Sequence, residues 1–524
     1  METANSKKAT VLWVDDEIDL LKVQILFLKS KGYEIETAYN GNDALELVKS
    51  NFYDIIFLDE NMPGLSGLET LREIKKIKPD IPCVMITKND GEEFMDDAVG
   101  YNVADYLIKP VNPNQILLSI KKNLENTRLI TKKTTEDYQQ EFRQLSIDLC
   151  SVSNFAQWTD LYKKIVDWEL KLDGIASDKT LSEILANQKN EADREFCKYI
   201  EKNYERWLTG SRNDRPIMQP DIFKEKILPA IRNGEKIFWI VIDNLRFDHW
   251  KIIQPLIAQY FNVEHEDIMC SILPTATQYA RNAMFAGLMP LDIAKHFPEL
   301  WAYEDEMHSK NNNEDKLIET MLKRFRTDIK FYYCKTFTNK DGQKINDNIQ
   351  NIINNQLNVA VYNFVDMISH ARTEVSMMRE LADDEASYRD ITKTWFEHSA
   401  LFELLKILSD TDFKIIFTTD HGNVKVNNAI KIIGDKNLTS NLRYKQGQNI
   451  TFNAKEVYAP ENADRIMLPA PNLRTRYIFA HHNDFMAYPN NYNHYAKYYK
   501  DTFQHGGISL DEMLIPLITL TPKK

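Results

Sequence analysis

Three apolar runs beyond residue 225 stop at carboxylates and imidazoles. KIFWIVID ends at Asp243, NVAVYNFVD ends at Asp366 with His370 shortly after, and FKIIFTTDHG ends at Asp420 and His421. A further imidazole, His505, stands before a Gly pair in QHGGISLDE. Asp and His are poor strand formers and unfavourable to bury unpaired. A turn accounts for one such stretch, because Asp and Gly are turn residues. It does not account for the set. The chain has 11 His, so no single one decides the matter. Together, these carboxylate and imidazole groups suffice for two divalent ions. Mixed nitrogen and oxygen ligation without Cys favours Zn²⁺ or Mn²⁺ over Ca²⁺.

A hydroxyl completes this constellation. The stretch LPTATQYARNAMFAGLMP carries Thr275 and Thr277 ahead of a helix-like pattern. A hydroxyl at a helix N-terminus meets the positive end of the dipole, and metal coordination would make it a nucleophile. Ordinary N-capping is the other use for either Thr. Beside the ligand set, the nucleophile is the better reading. Arg246 and Arg281 are candidate phosphate contacts.

The first 125 residues hold a second constellation. Asp15 and Asp16 end one apolar run, Asp59 ends another, and Thr87 and Lys109 end two more. Three converging carboxylates need a cation among them. Oxygen ligands with room for water suit Mg²⁺. A Lys and a hydroxyl beside them fit a phosphoryl group on one carboxylate. The Lys109–Pro110 bond is a candidate cis peptide.

The elements that must position these groups follow from hydrophobic periodicity. Residues 1–125 alternate five short apolar runs with five helical patterns, the fourth of them EEFMDDAVGYN, which predicts a doubly wound parallel sheet. Residues 126–225 are polar with apolar positions at helical spacing, which predicts an all-helical connector with no chemistry of its own. Residues 226–524 return to apolar strands, which predicts a second α/β domain. Its near-continuous apolar runs suggest parallel pairing, with ligands at the carboxyl ends of the strands. His481, His482 and His494 lie in an aromatic-rich insert, HHNDFMAYPNNYNHYAKYY. That insert reads as exposed loop packing, with a lid or a base-stacking surface as the functional alternative.

Bulk properties narrow the class. The formal charge of −12 over 524 residues argues against a large non-specific nucleic-acid surface. It leaves room for a phosphate pocket with metal ions. The 5 Cys are scattered, so reduced thiols are expected rather than a disulfide framework. No run reaches the roughly 18 apolar residues of a membrane span. The N-terminal stretch lacks the apolar core of a secretory signal. A cytoplasmic protein without membrane insertion is therefore expected.

The motifs DD, D-x-N-M-P-G, T and K-P in the first segment resemble those of response-regulator receiver domains. That resemblance implies phosphorylation of Asp59 by a sensor histidine kinase. It implies Mg²⁺ held by Asp15, Asp16, Asp59 and the Asn61 carbonyl, and phosphoryl contacts from Thr87 and Lys109. Tyr106 would be the switch aromatic. From about residue 237 to 515 the ordered motifs resemble the alkaline phosphatase superfamily, its nucleotide pyrophosphatase-like and PglZ-type members above all. Counting ten residues back from Gly287 of its G-L-x-P motif gives Thr277 as nucleophile, with Thr275 as the alternative. The resemblance places Asp243, Thr277, Asp420 and His421 around one metal, and Asp366, His370 and His505 around the other. The chain lacks the Arg found two residues after the nucleophile of alkaline phosphatases, which points away from a simple monoesterase.

Joined in this order, the segments look like PorX-type response regulators, which regulate type IX secretion and gliding. That resemblance implies phosphodiesterase action on linear or cyclic oligonucleotides and dimerisation on phosphorylation. A sigma factor or type IX secretion components would be further partners. The competing reading is a non-catalytic docking module for such a partner.

Overall fold

The computed structural model describes residues 9–79, 81–88, 103–173, 179–210, 215–303, 310–374, 384–434, 438–472 and 474–523. The helical pattern expected at 92–102 lies outside them. The chain divides into two compact units, Met1–Glu141 and Phe142–Lys524.

The first unit is built on a parallel five-stranded sheet. Its strands are β1 (Ala9–Val14), β2 (Tyr33–Ala38), β3 (Ile55–Asp59), β4 (Cys83–Thr87) and β5 (Asp105–Ile108). They lie in the order β2-β1-β3-β4-β5. All four pairings are parallel. Central strands β3 and β4 are buried throughout, as expected when both sheet faces are covered. Leu12, Val14, Ile56 and Leu58 pack on one face, and Val11, Trp13, Ile55 and Phe57 on the other. The helices α1 (Lys22–Ser30), α2 (Gly41–Ser50) and α3 (Gly67–Ile77) connect the first four strands. Local chemistry sets their starts. Asn40 accepts a hydrogen bond from the Asp43 N–H, and Ser66 and Glu69 form a capping box. The next helix, α4 (Pro113–Ser151), is 39 residues long. It runs without a break past the division between the units.

Two helices open the second unit, α5 (Phe155–Asp173) and α6 (Lys179–Thr209). They are joined through aromatic packing, with Trp158 edge-on to Phe196 at 5.3 Å between centroids. A six-stranded sheet follows: β6 (Lys236–Ile242), β7 (Phe261–Cys270), β8 (Phe331–Thr336), β9 (Leu357–Tyr362), β10 (Phe413–Thr418) and β11 (Leu514–Pro522). Its order is β7-β11-β10-β6-β9-β8, and the helix α7 (Phe247–Ile257) follows β6. The pairings β10–β6, β6–β9 and β9–β8 are parallel. The three apolar runs expected to pair in parallel, β6, β9 and β10, do so. Strand β11, which the sequence reading did not single out, is antiparallel to both β10 and β7, so the sheet is mixed. Among the described residues no helix is long and apolar enough to cross a membrane.

Candidate active site

Strands β6 and β10 are parallel neighbours, so their carboxyl ends bring Asp243 and Asp420 to the same rim. Asp366 arrives differently. Strand β9 stops at Tyr362, and Asp366 lies in the first turn of the helix α9 (Phe364–Glu374), not at the strand end. His370 follows one turn later on that helix, with Nε2 at 3.5 Å from Asp366 Oδ2. His505 Nε2 lies 3.8 Å from Asp366 Oδ1. Two groups of ligand atoms result, Asp243 with Asp420 and His421, and Asp366 with His370 and His505. Within each group the atoms lie within 4.8 Å of one another.

The histidines are held as ligands require. His421 Nδ1 sits 3.1 Å from the Gly422 carbonyl, and His505 Nδ1 sits 3.0 Å from the Thr275 carbonyl. A carbonyl only accepts, so each Nδ1 carries the proton and each Nε2 presents a lone pair. Burial pulls both imidazoles down to about 4, so both are neutral at pH 7. Among the described residues Arg281 is the cation beside these carboxylates, 2.6 Å from Asp243 Oδ2 and 3.8 Å from Asp420 Oδ2. Burial and the neighbouring Asp243 carboxylate push Asp420 well above the usual range. Burial and Asp243 also raise Asp366. Burial works in the same direction on Asp243, but Arg281 and His421 outweigh it and the net shift is downward. Asp420 Oδ2 is buried and accepts no hydrogen bond. Such an oxygen, beside a second carboxylate and a neutral imidazole, fits a divalent cation.

Thr277 is the first residue of the helix α8 (Thr277–Ala286), whose N-cap is Ala276. Its hydroxyl therefore caps nothing. Thr277 Oγ1 lies 3.1 Å from His421 Nε2 and 3.4 Å from Asp243 Oδ1. Gly287 closes the same helix in the left-handed conformation, with φ at 58°. Thr275 is fully buried and turned away. Its hydroxyl donates to the Gly507 carbonyl at 3.0 Å and accepts from the Gly506 N–H at 2.9 Å. A cavity of about 620 Å³ opens onto Thr277, His370 and His505. Lys310, Asn311, Tyr498 and Tyr499 line its walls.

The two candidate arginines do not face that cavity. Arg246 is fully buried and bound by Asp248 and Glu385. Arg281 is 2% exposed and lies behind the ligands, 2.6 Å from Asp243 Oδ2 and in contact with Glu314. Each guanidinium is thus engaged by carboxylates of its own domain, and neither lines the cavity. His481 and His482 are also drawn away, to Glu201 and Asp193 on α6. His494 stays in the aromatic insert, its ring against Tyr495 and Tyr498. That insert folds into a helix, Tyr492–Tyr499, whose last two residues reach the cavity wall.

Sequence reasoning passed over Asn244. Its backbone N–H donates to Asp420 Oδ1 at 3.2 Å, and its side-chain amide donates to Asp366 Oδ1 at 3.1 Å. It thus ties the two ligand groups together. Its φ of 66° permits this, and Asn tolerates that region better than most residues. The only signal was its place directly after Asp243.

In the first unit, Asp15, Asp16 and Asp59 offer oxygens within 4.8 Å of one another. Lys109 Nζ lies 2.9 Å from both Asp15 Oδ2 and Asp59 Oδ1. Burial raises Asp59, with the Lys109 hydrogen bond opposing and Asp15 adding to the rise. Burial would lower Lys109, but its bonds to Asp59 and Asp15 carry the net shift upward. Asp16 is exposed, and three clustered acids with one ammonium leave a deficit that Mg²⁺ fits. Thr87 at the end of β4 donates to Glu60. Asn61 is exposed just past β3. The Tyr106 hydroxyl is buried and has no hydrogen-bond partner among the described residues. The Lys109–Pro110 bond is cis.

A phosphoacceptor-type receiver, a helical linker and an alkaline-phosphatase-like α/β domain define a response regulator with an enzyme-like output domain. Residues 222–520 match the BREX system PglZ alkaline phosphatase-like domain, residues 128–208 the PorX response regulator linker domain, and residues 11–121 the response regulator receiver domain. The chain belongs to the PglZ alkaline phosphatase-like family, and its three matches stand in the PorX-type order. Curated relatives include the transcriptional regulatory protein ZraR of Klebsiella oxytoca, 32% identical over 138 residues. That match spans 26% of this chain and 31% of the relative. ZraR of Salmonella typhimurium is 33% identical over 121 residues, 23% of this chain and 27% of the relative. The chain thus covers less than a third of either relative. Among solved structures, a CheY-like receiver protein from Methanospirillum hungatei is 28% identical. It covers 22% of this chain and 94% of its own, with a TM-score of 0.22. TrrA from Thermotoga maritima, solved with Mg(2+)-BeF, is 36% identical over 22% of this chain and 98% of its own, with a TM-score of 0.21.

Proposed function

We propose that this protein is a cytoplasmic response regulator whose output domain hydrolyses phosphoric diesters. The Thr277 hydroxyl carries the proposal. It stands at a helix N-terminus, opens onto the cavity, and lies between Asp243 Oδ1 and His421 Nε2. Asp243, Asp420, His421 and Thr277 would hold one divalent ion, and Asp366, His370 and His505 the other. When bound, such ions, Zn²⁺ or Mn²⁺, supply positive charge to phosphoryl oxygens and lower the pKa of a neighbouring hydroxyl.

The chain's own groups prepare the rest. The Thr277 hydroxyl stands beside Asp243 Oδ1 and His421 Nε2, so it would share their cation, whose charge lets its proton pass to water. The first turn of α8 stabilises charge on the threonyl oxygen. That oxygen attacks phosphorus, the bond to the departing ester oxygen breaks, and a proton goes to the leaving alcohol. Water then cleaves the phosphothreonine and restores Thr277. A cavity of about 620 Å³ leaves room for a group larger than phosphate, which supports a diester such as a linear or cyclic oligonucleotide as substrate.

Upstream, a sensor histidine kinase would phosphorylate Asp59, with Mg²⁺ on Asp15, Asp16, Asp59 and the Asn61 carbonyl. Lys109 and Thr87 would bind the phosphoryl oxygens, and Tyr106 would report the change. Control of type IX secretion, with dimerisation on phosphorylation, is the cellular role this architecture suggests. The test is hydrolysis of bis-p-nitrophenyl phosphate and p-nitrophenyl phosphate with Zn²⁺ or Mn²⁺, beside Thr277→Val. Faster turnover of the diester, lost in the variant, supports the proposal. No turnover of either ester by metal-loaded wild type moves the reading to a docking module.

A further inference from the structure

The helix α6 lies within the linker, a region whose sequence shows no chemistry. Yet one stripe of it, at four-residue spacing, grips the segment that carries His505. Lys189 Nζ lies 2.9 Å from Asp511 Oδ2. Asp193 Oδ1 accepts the Leu510 N–H at 2.6 Å, and its other oxygen is 2.7 Å from His482 Nδ1. Cys197 Sγ donates to the Ile508 carbonyl at 3.3 Å. Positions four apart share a helix face, so these contacts belong to one surface. From α5, the Tyr162 hydroxyl donates to Asp511 Oδ1 at 2.7 Å.

The gripped segment is wired to the site. Glu512 is fully buried and takes the Gly507 N–H at 2.9 Å and the Thr275 hydroxyl at 3.3 Å. Arg443 holds its other oxygen at 2.6 Å. The Thr275 carbonyl in turn fixes His505 Nδ1. On the opposite side, the Gly422 N–H donates to the Glu512 carbonyl at 3.1 Å. The backbone there is so close that a Cβ on Gly422 would stand 2.0 Å from the Asp511 carbonyl oxygen.

We infer that α6 is a positioning element of the metal site, with Asp193 as its main positioning residue. Through Leu510 and Glu512 it sets where His505 and the Thr275 loop lie. A shift of the linker helix would therefore alter the geometry of the Asp366–His370–His505 group, and so its hold on a divalent cation. The inference rests on reading that group as a ligand set.

The experiment uses the full chain and Zn²⁺ as probe. Binding is read by competition with a chromophoric chelator, and hydrogen exchange is followed across 505–512. Asp193→Ala should weaken one of two Zn²⁺ equivalents by about tenfold or more, the size seen when support of a ligand is lost. It should also speed exchange in that segment and leave β6 and β10 protected. Asp193→Asn keeps an oxygen for Leu510 and should restore both readouts. Glu195→Ala, on an exposed part of α6, should change neither. Folded Asp193→Ala with wild-type Zn²⁺ affinity and exchange overturns the inference. If that variant does not fold, Lys189→Gln decides by the same two readouts, and no change in either overturns the inference. Neither readout needs ester turnover, so failure of the hydrolase proposal and failure of this one are told apart.

Discussion

Thr277 Oγ1 lies 3.1 Å from His421 Nε2, and the opposite ring nitrogen of that histidine is anchored to its neighbour's carbonyl. A hydroxyl beside that fixed nitrogen stands where a cation held by His421 and Asp243 would meet it. The other candidate threonine has every bond of its hydroxyl spent on the loop from Gly506 to Glu512.

The two threonines should therefore fail in different ways. Thr277→Val should lower diester turnover on the order of 10³-fold or more while the thermal midpoint stays near wild type. Thr275→Val leaves the Gly506 N–H unpaired in the interior and should lose about 1–3 kcal/mol of stability. Steady-state kinetics beside thermal melts separate the two. Equal loss of turnover with equal loss of stability would contradict the assignment.

Asp420 should show opposite effects with and without metal. Its carboxylate is buried against Asp243, and one of its oxygens has no donor. In chelator-treated protein, Asp420→Asn removes that repulsion and should raise stability by roughly 1–4 kcal/mol at pH 7. The stabilisation that added Zn²⁺ gives wild type should largely vanish in the variant. Melting curves of both proteins, with chelator and with metal, check this. A variant less stable than wild type in chelator would show that the carboxylate does not strain the metal-free fold.

Lys445 gives a pH signature. It is 1% exposed, its ammonium donates to the Thr439 carbonyl at 2.8 Å, and burial pulls it down to about 8. Below pH 8 the folded and unfolded states both hold the proton, so the penalty for burying charge is fully present. Between pH 8 and about 10.5 only the unfolded state keeps it, so wild-type stability gains with rising pH. Lys445→Met should be more stable at pH 7 by up to about 3 kcal/mol, and that advantage should shrink above pH 8. Denaturant melts of both proteins from pH 7 to 10 test the sign.

The receiver should take one phosphoryl group. Acetyl phosphate with Mg²⁺ should phosphorylate wild type but not Asp59→Asn, as read on phosphate-affinity gels. Lys109→Met should still fold, because the cluster it leaves can bind Mg²⁺. Sedimentation velocity with beryllofluoride should show a shift toward dimer in wild type alone. An unchanged monomer would remove dimerisation from the proposed activation.

The two sheets and their site-bearing strand ends were legible because parallel strands are apolar almost to their last residue. Where such a run breaks at Asp59, Asp243 or beyond Thr418, chemistry is the economical reason. The antiparallel course of β11 was hidden, since full burial gives the same apolar run in either direction. Arg246 and Arg281 looked like phosphate contacts because sequence shows a charge but not its partner. Asn244 carried no signal beyond its place after Asp243, and Glu512 carried none. Asn244 meets Asp366 across 122 positions, and Glu512 meets Thr275 across 237. No local pattern encodes a pairing of that span. The linker looked inert for a related reason: the partners of its polar stripe lie some 300 residues further on.

Strand β11, formed by Leu514–Pro522, is inserted between β7 and β10. On the ribosome, β7 has no sheet neighbour until that segment emerges, although β7 itself was made some 250 residues earlier. The receiver, by contrast, has all five strands by Ile108 and can fold while the rest is still being translated. The receiver is thus ready well before the output domain, and no half-made chain carries a finished six-stranded sheet.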